Sequence, residues 1–259
     1  LTNTTKAQVA ERFGRHAQSY SDSKSHSQGN DLDVLVDLLD PQLDWVVLDV
    51  ATGAGHTAMA IQPHVCMVIA TDLSEGMLQV ATKNFRSRGL EGVYPQEADA
   101  EALPFQDDYF DAVTCRIAPH HFTDIGKALT EMARVLKPGG TLVIEDNIAM
   151  QAARLDRFIN ELEKTRDATH VRSYTKGEWR DMLREAGFKI AGCERYRKTH
   201  DVAEWVGMSD LDDASREKLA QIFAFAPQYA RDAFEITYDD EGNAATFRDH
   251  KLIIKAFKK

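Results

Sequence analysis

"WVVLDVATGAGHTA", residues 45–58, decides how the rest of the chain is read. Its first half is an apolar run broken by one acid, the pattern of a strand buried on both faces. Its second half, Gly53-Ala54-Gly55-His56-Thr57-Ala58, fits the G-x-G-x-x-G/A turn that carries a strand into a helix. Glycines there let the backbone bend and let a ligand approach the main chain, where helix N-terminal N–H groups face it.

Working outward, strands alternate with helices from about residue 45 to 146. "VCMVIAT" (65–71), "FDAVTC" (110–115) and "TLVIED" (141–146) are further buried-strand runs. "SEGMLQVATKNFRSRG" places Met77, Leu78, Ala81 and Phe85 on one helical face, with Ser74 as cap and Gly89 as stop. "TDIGKALTEMARVL" repeats the pattern, and Lys137-Pro138-Gly139-Gly140 then predicts a type II turn. Such alternation implies an α/β fold with a parallel sheet and right-handed crossovers. Before it, "KAQVAERFGRHAQSY" and "DLDVLVDLLD" read as helices. After it come "AMQAARLDRFINELEKTRD" and "TKGEWRDMLREAGF" as helices and "FKIAGCERY" as a strand. The tail reads as two strands around "DDEGN".

Composition narrows the partners. The 259 residues carry 41 Asp and Glu against 31 Lys and Arg, a net charge of -10. Polyanion binding needs a basic surface that releases counterions, so nucleic acid is disfavoured and a small molecule is the expected partner. No run of about 18 apolar residues suggests a membrane span. The three cysteines, Cys66, Cys115 and Cys193, are too widely spaced for a metal cluster or a disulfide framework, and a cytoplasmic setting is expected.

Asp49 bears on which ligand the glycine loop holds. A carboxylate beside the loop repels a pyrophosphate but can pair with the ammonium group of an amino acid. S-adenosylmethionine (SAM) carries such an ammonium and a sulfonium cation, and no phosphate. Asp72 follows Gly53 by 19 residues at the end of the second strand, where an acid can accept both ribose hydroxyls of an adenosine ligand. Asp99, after the short strand "GVYPQEA", can accept the adenine amino group, and Ala100 can offer its N–H to the ring. Each has a plainer reading: a helix cap for Asp72, an exposed loop acid for Asp99. Asp49→Ala is expected to weaken SAM binding with little loss of fold.

At this point the chain resembles the class I SAM-dependent methyltransferases. "LDVATGAGHTA", "ATDLSEGML", "EADAEALPF", "FDAVTCRIAPHHF" and "EMARVLKPGGTLVI" match that family's motifs in order, across about residues 46–146. "ATG" at the loop and "ERFGRHAQSY" near the start are similar to the branch of the ubiquinone/menaquinone biosynthesis methyltransferases. The resemblance implies a Rossmann-like seven-stranded mixed sheet, order 3-2-1-4-5-7-6 with strand 7 antiparallel, and a helical cap. It implies that Asp49, Ala51, Gly53 and Gly55 surround the methionine part of SAM, and that Asp72 holds the ribose. Leu73 and Met77 would pack near the adenine, Asp99 and Ala100 would contact it, Cys115 would lie beside the cofactor, and Tyr20 would reach it from the first helix. It further suggests an N-terminal cap over 1–44 and a methyltransferase domain over 45–259 with a cover insertion at about 148–172.

Two departures limit the substrate. The Tyr- and Ser-bearing segment of quinone-ring methyltransferases has no match here. "CRIA" lacks the Pro-Pro-aromatic tetrapeptide of enzymes that methylate base or glutamine amino nitrogens. His120 and His121 follow strand 4, where an acceptor would meet the methyl group; either could take a proton, or merely cap or pack a helix. Arg116 is a candidate for holding an anionic substrate, or else a surface ion pair. The expected function is methyl transfer to a small-molecule acceptor. A non-catalytic SAM-binding module and an NAD-dependent oxidoreductase are the alternatives.

Overall fold

The computed structural model describes residues 5–22, 30–209 and 211–259. Strands β1 (Val46–Val50), β2 (Met67–Asp72), β3 (Val93–Glu97), β4 (Phe110–Arg116) and β5 (Leu136–Ala149) are mutually parallel. Two long strands, β7 (Phe188–Asp201) and β9 (Ala244–Lys258), complete the sheet, with β9 antiparallel to both neighbours. The order is β3-β2-β1-β4-β5-β9-β7. Counting long strands alone, this is the expected 3-2-1-4-5-7-6 with the seventh antiparallel. Two short strands, β6 (Tyr174–Thr175) on β5 and β8 (Thr237–Tyr238) on β9, raise the total to nine.

The apolar run of β1 is explained by what lies on each face. On one face Val47 and Val68 pack with helices α2 (Asn30–Leu39), α3 (His56–Ile61) and α4 (Glu75–Ser87), through Leu35, Leu39, Ile61 and Phe85. On the other, Leu48 and Val113 meet α5 (Ile125–Val135) and α7 (Lys176–Glu185), through Leu129, Met132, Trp179 and Leu183. Burying each such side chain contributes roughly 1.5–3 kcal/mol. Helix starts follow local chemistry: Ser74 accepts the Met77 N–H, Asp124 accepts that of Lys127, and Thr175 with Glu178 forms a full capping box. The Lys137–Gly140 turn lies inside β5. The β4–β5 register jumps from Phe110↔Leu136 to Ala112↔Thr141, and Gly139 takes φ +76°.

The flanks differ in part from the expected cap and cover. The first helix, α1 (Lys6–Asp22), lies over the loops, but α2 belongs to the core: Leu35 and Leu39 are fully buried against the sheet layer. The helix expected after residue 148 is α6 (Ala153–Arg166). It joins α8 (Val202–Gly207), α9 (Asp213–Ala224) and α10 (Gln228–Ala233) in a separate cluster around Phe223, Phe234 and Phe247. The sequence pattern gave no warning of this three-helix insertion between β7 and β8.

α1 is seated on α4 by backbone contact. A Cβ on Gly76 would come within 2.8 Å of the Gly14 Cα, so the two helices meet where neither has a side chain. No helix among the described residues is long and apolar enough to cross a membrane.

Candidate functional site

The glycine loop leaves β1 through three left-handed residues: Ala51 at φ +54°, Gly53 at +56° and Gly55 at +89°. Gly55 precedes the first turn of α3, and a side chain there would run into the Phe85 ring. Only glycine meets both demands. Ala51 carries a Cβ in a region that disfavours one.

Asp49 is buried beneath this loop, 1% exposed. Its Oδ2 accepts from the Thr52 hydroxyl at 2.5 Å and its Oδ1 from the Thr114 hydroxyl at 2.7 Å. Burial pushes its pKa up to about 6, against the pull of those two hydroxyl bonds and of Arg116. The carboxylate thus ties the loop to β4 and stands behind Thr52 instead of on the cleft wall. Removing it would strand two buried hydroxyls, so Asp49→Ala is expected from the structure to cost fold stability, where the sequence alone suggested little loss.

A cleft opens at the C-terminal ends of β1 to β4. Ala51, Thr52, Gly53 and Ala54 form one wall, with Asp72, Leu73 and Met77 beside them. Asp72 Oδ2 accepts the Gly53 N–H and its Oδ1 accepts the Ser74 N–H, both at 2.9 Å. Burial raises its pKa to about 6 against these backbone bonds. Asp99 and Ala100 face them across the cleft.

Sequence reasoning missed the partner of Asp99. Lys6 of α1 reaches Asp99 Oδ2 and Glu101 Oε2, each at 2.6 Å. Burial alone would lower the Lys6 pKa; the bonds to the two carboxylates outweigh it. Glu101 is itself fixed by the Thr123 hydroxyl and the Asp124 N–H. A lysine 93 residues before its partner carries no local signal of such a contact.

Of the residues singled out from sequence, Ala51, Gly53, Asp72, Leu73 and Met77 meet on the cleft, as do Asp99, Ala100, Arg116 and His121. Asp49, Gly55, Cys115 and His120 do not line it. Cys115 is wholly buried on β4, its thiol pushed well up by burial, and packs as a small hydrophobe. Tyr20 falls on α1, but its side chain lies outside the described residues. Arg116 forms neither a surface pair nor a waiting anion site. Its side chain is 5% exposed, with Nη1 2.6 Å from Asp31 Oδ2 on α2 and Nε 3.2 Å from the Thr57 hydroxyl.

The two histidines sit in a short 3₁₀ turn, Pro119–His121, and do not begin a helix. His120 Nδ1 lies 2.5 Å from Asp146 Oδ1. Burial lowers its pKa, but Asp146 outweighs this and raises it overall. His121 Nδ1 faces the Thr169 carbonyl at 3.2 Å, which assigns the proton to Nδ1 and leaves Nε2 as an acceptor. Burial, with repulsion from His120, pushes His121 down to about 3, so it stays neutral. Among the described residues, no group of three or more His, Cys, Asp or Glu side chains is arranged to hold a metal ion.

Known proteins are similar to this chain in sequence and fold. Residues 48–144 match the family model of a methyltransferase domain. The uncharacterized methyltransferase YcgJ of Bacillus subtilis (strain 168) is 33% identical over 247 residues, spanning 95% of this chain and 98% of that protein. Its crystal structure superposes with a TM-score of 0.85, covering 89% of this chain and 98% of that one. A candidate methyltransferase from Bacillus halodurans C-125 superposes at 0.86 with 37% identity, covering 89% and 99%. A demethylmenaquinone methyltransferase of Thermus thermophilus is 45% identical over 100 residues, 38% of this chain and 45% of that protein.

Proposed function

The chain belongs to the class I methyltransferases, in the branch that includes the ubiquinone/menaquinone C-methyltransferases, and from that premise we propose that it takes a methyl group from SAM and passes it to a small-molecule acceptor. The observation that carries this reading is the bond from the Gly53 N–H to Asp72. It joins the glycine loop of β1 to the strand-end carboxylate of β2, so the two features expected to hold a nucleoside and an amino acid share one wall.

In this reading Asp72 accepts the ribose hydroxyls, and Leu73 and Met77 pack against the adenine. Asp99 and Ala100 address its polar edge, which requires Lys6 to share or yield Asp99. The loop from Ala51 to Gly55 carries the methionine part. Asp49 contributes negative charge from behind Thr52 and holds the loop's shape. When bound, the cofactor supplies a methyl group on a positively charged sulfur, so no covalent nucleophile of the protein is needed. The chain's own task is alignment, worth roughly 7–11 kcal/mol where geometry is held.

A proton lost by the acceptor needs a destination. Asp146 orients His120 through Nδ1 and stabilises the imidazolium that would form. Neutral His121 avoids setting a second cation beside the sulfonium. Calorimetric titration with SAM, S-adenosylhomocysteine and NAD tests the reading: the first two are expected to bind and NAD to fail. Binding of NAD alone would sink it.

A further inference from the structure

Beside the cleft lies a second pocket. The two share three wall residues, Phe13, Ile117 and His121. Phe13 and His121 meet edge to face with ring centroids 4.9 Å apart. Ile117 holds φ +51°, a left-handed conformation that a β-branched residue rarely adopts. Such strain persists where the surroundings over-determine it, and it clusters at ligand-handling sites. The shared residues form a doorway between the two spaces.

The inner chamber has its own chemistry. β7 supplies Lys198 and His200, β9 supplies Asp249 and Lys251, and α6 supplies Glu163 and Arg166. The β7–β9 register pairs Lys198 with Asp249 and Tyr196 with Lys251, so Lys198 and Lys251 are diagonal neighbours on one face. Burial, then the charge of Lys251, pushes the Lys198 pKa down. Asp249 stands opposite Lys198 in that register and pairs with Lys251, which also donates to Asn147 Oδ1, and a ligand anion would add a second counter-charge to the two ammoniums. Asp249 Oδ2 lies 3.0 Å from His200 Nε2 and 3.3 Å from Lys251 Nζ. Its Oδ1 is buried with no hydrogen-bond partner among the described residues. A buried acceptor left open in this way asks for a donor. A long isoprenoid tail fits poorly here, because it would lie against buried charges and strip them of polar contact.

Resting on the methyltransferase reading, we infer that this chamber is the acceptor site and that the acceptor is a small carboxylate carrying an O–H or N–H donor. Its anionic group lies toward Lys198 and Lys251, its donor serves Asp249 Oδ1, and the atom to be methylated faces the doorway beside His121. The quinone-methylating relatives align over 38% to 58% of this chain, and the β7 and β9 residues that line the chamber lie beyond the matched family core at residues 48–144.

The test uses the full chain saturated with S-adenosylhomocysteine, and calorimetry with three probes: 3-hydroxybenzoate, its amide 3-hydroxybenzamide, and menadione. The acid is expected to bind at least tenfold more tightly than the amide, and menadione more weakly than either. Lys198→Met is expected to erase the preference for the acid, and Lys198→Arg to keep it, with S-adenosylhomocysteine affinity unchanged in both. The inference is overturned if the cofactor product binds but the acid has no advantage over the amide. It is equally overturned if menadione binds best, or if Lys198→Met keeps the full preference. Failure of S-adenosylhomocysteine itself to bind is a different result, and it removes the cofactor reading first.

Discussion

In the cleft, the groups that form the wall are the glycine loop after β1 and the carboxylates Asp72 and Asp99 at or just after the ends of β2 and β3. In the inner chamber they are lysines, histidines and carboxylates drawn from β7, β9 and α6. The cleft is made by short segments in which the strand, its loop and the ligand-facing residue are within a few positions of each other. The chamber is made by residues as far apart as Phe13 and Lys251, brought together by sheet register and by helices packed against the sheet. The contrast suggests a division of labour: a donor side that local backbone geometry can specify, and an acceptor side that changes whenever the outer strands and inserted helices change.

The comparison can be broken most directly at Asp72. Asp72→Ala removes the acceptor of the Gly53 and Ser74 N–H groups and the proposed ribose contact. Losing about 3 kcal/mol of charge-assisted bonding would weaken S-adenosylhomocysteine binding on the order of a hundredfold. Calorimetry would show it, and unchanged affinity would detach Asp72 from the donor side. Asp49→Ala is next. It leaves the Thr52 and Thr114 hydroxyls unsatisfied in the interior and should cost about 2–3 kcal/mol of stability in denaturant titrations. A variant as stable as the parent would mean that the loop does not depend on its buried clamp.

A third test concerns pH. Asp72 and Asp49, both raised to about 6, are charged above that pH and neutral below it. A ligand that needs the carboxylate forms must displace protons as pH falls. S-adenosylhomocysteine affinity should therefore drop by about tenfold between pH 7 and pH 5 where binding needs one of the two ionised, and by about a hundredfold where it needs both, a tenfold loss for each pH unit below the pKa being the limit for one group. A flat profile would place neither carboxylate in the binding step. The smallest effect is expected at Ala51. Ala51→Gly relieves a left-handed alanine that costs about 1–2 kcal/mol, part of which returns as backbone entropy, so a gain of about 0.5–1 kcal/mol should appear as a higher Tm. A lower Tm would mean that the Ala51 methyl is needed where it packs.

Much of the sheet and of the cleft was legible because the informative residues are local. A glycine loop after an apolar run, and acids closing β2 and following β3, declare themselves within a dozen positions. Asp49 shows the limit of that reading. Its type and place at a strand end suggested a ligand contact, but whether it faces the cleft or the interior depends on Thr114, 65 residues away. Arg116 is the same case, turned inward by Asp31 on a helix that looked like part of a cap. In the chamber the difficulty is greater. Lys198, His200, Asp249 and Lys251 alternate along β7 and β9 as residues of a solvated sheet face would. Only the helices of residues 202–233 and α6, packed over that face, convert it into a wall.

The contact of Gly14 with Gly76 gives α1 a role that neither cavity reveals by itself. The same helix sends Lys6 to Asp99 and Glu101, Phe13 to the doorway, and Arg12 to Asp167 at 3.1 Å on the chamber wall. All three depend on a seat with no room for a methyl group. A single added carbon at Gly76 would act as a wedge beneath the helix, and donor and acceptor affinities would then fall together although no residue touching either ligand had changed.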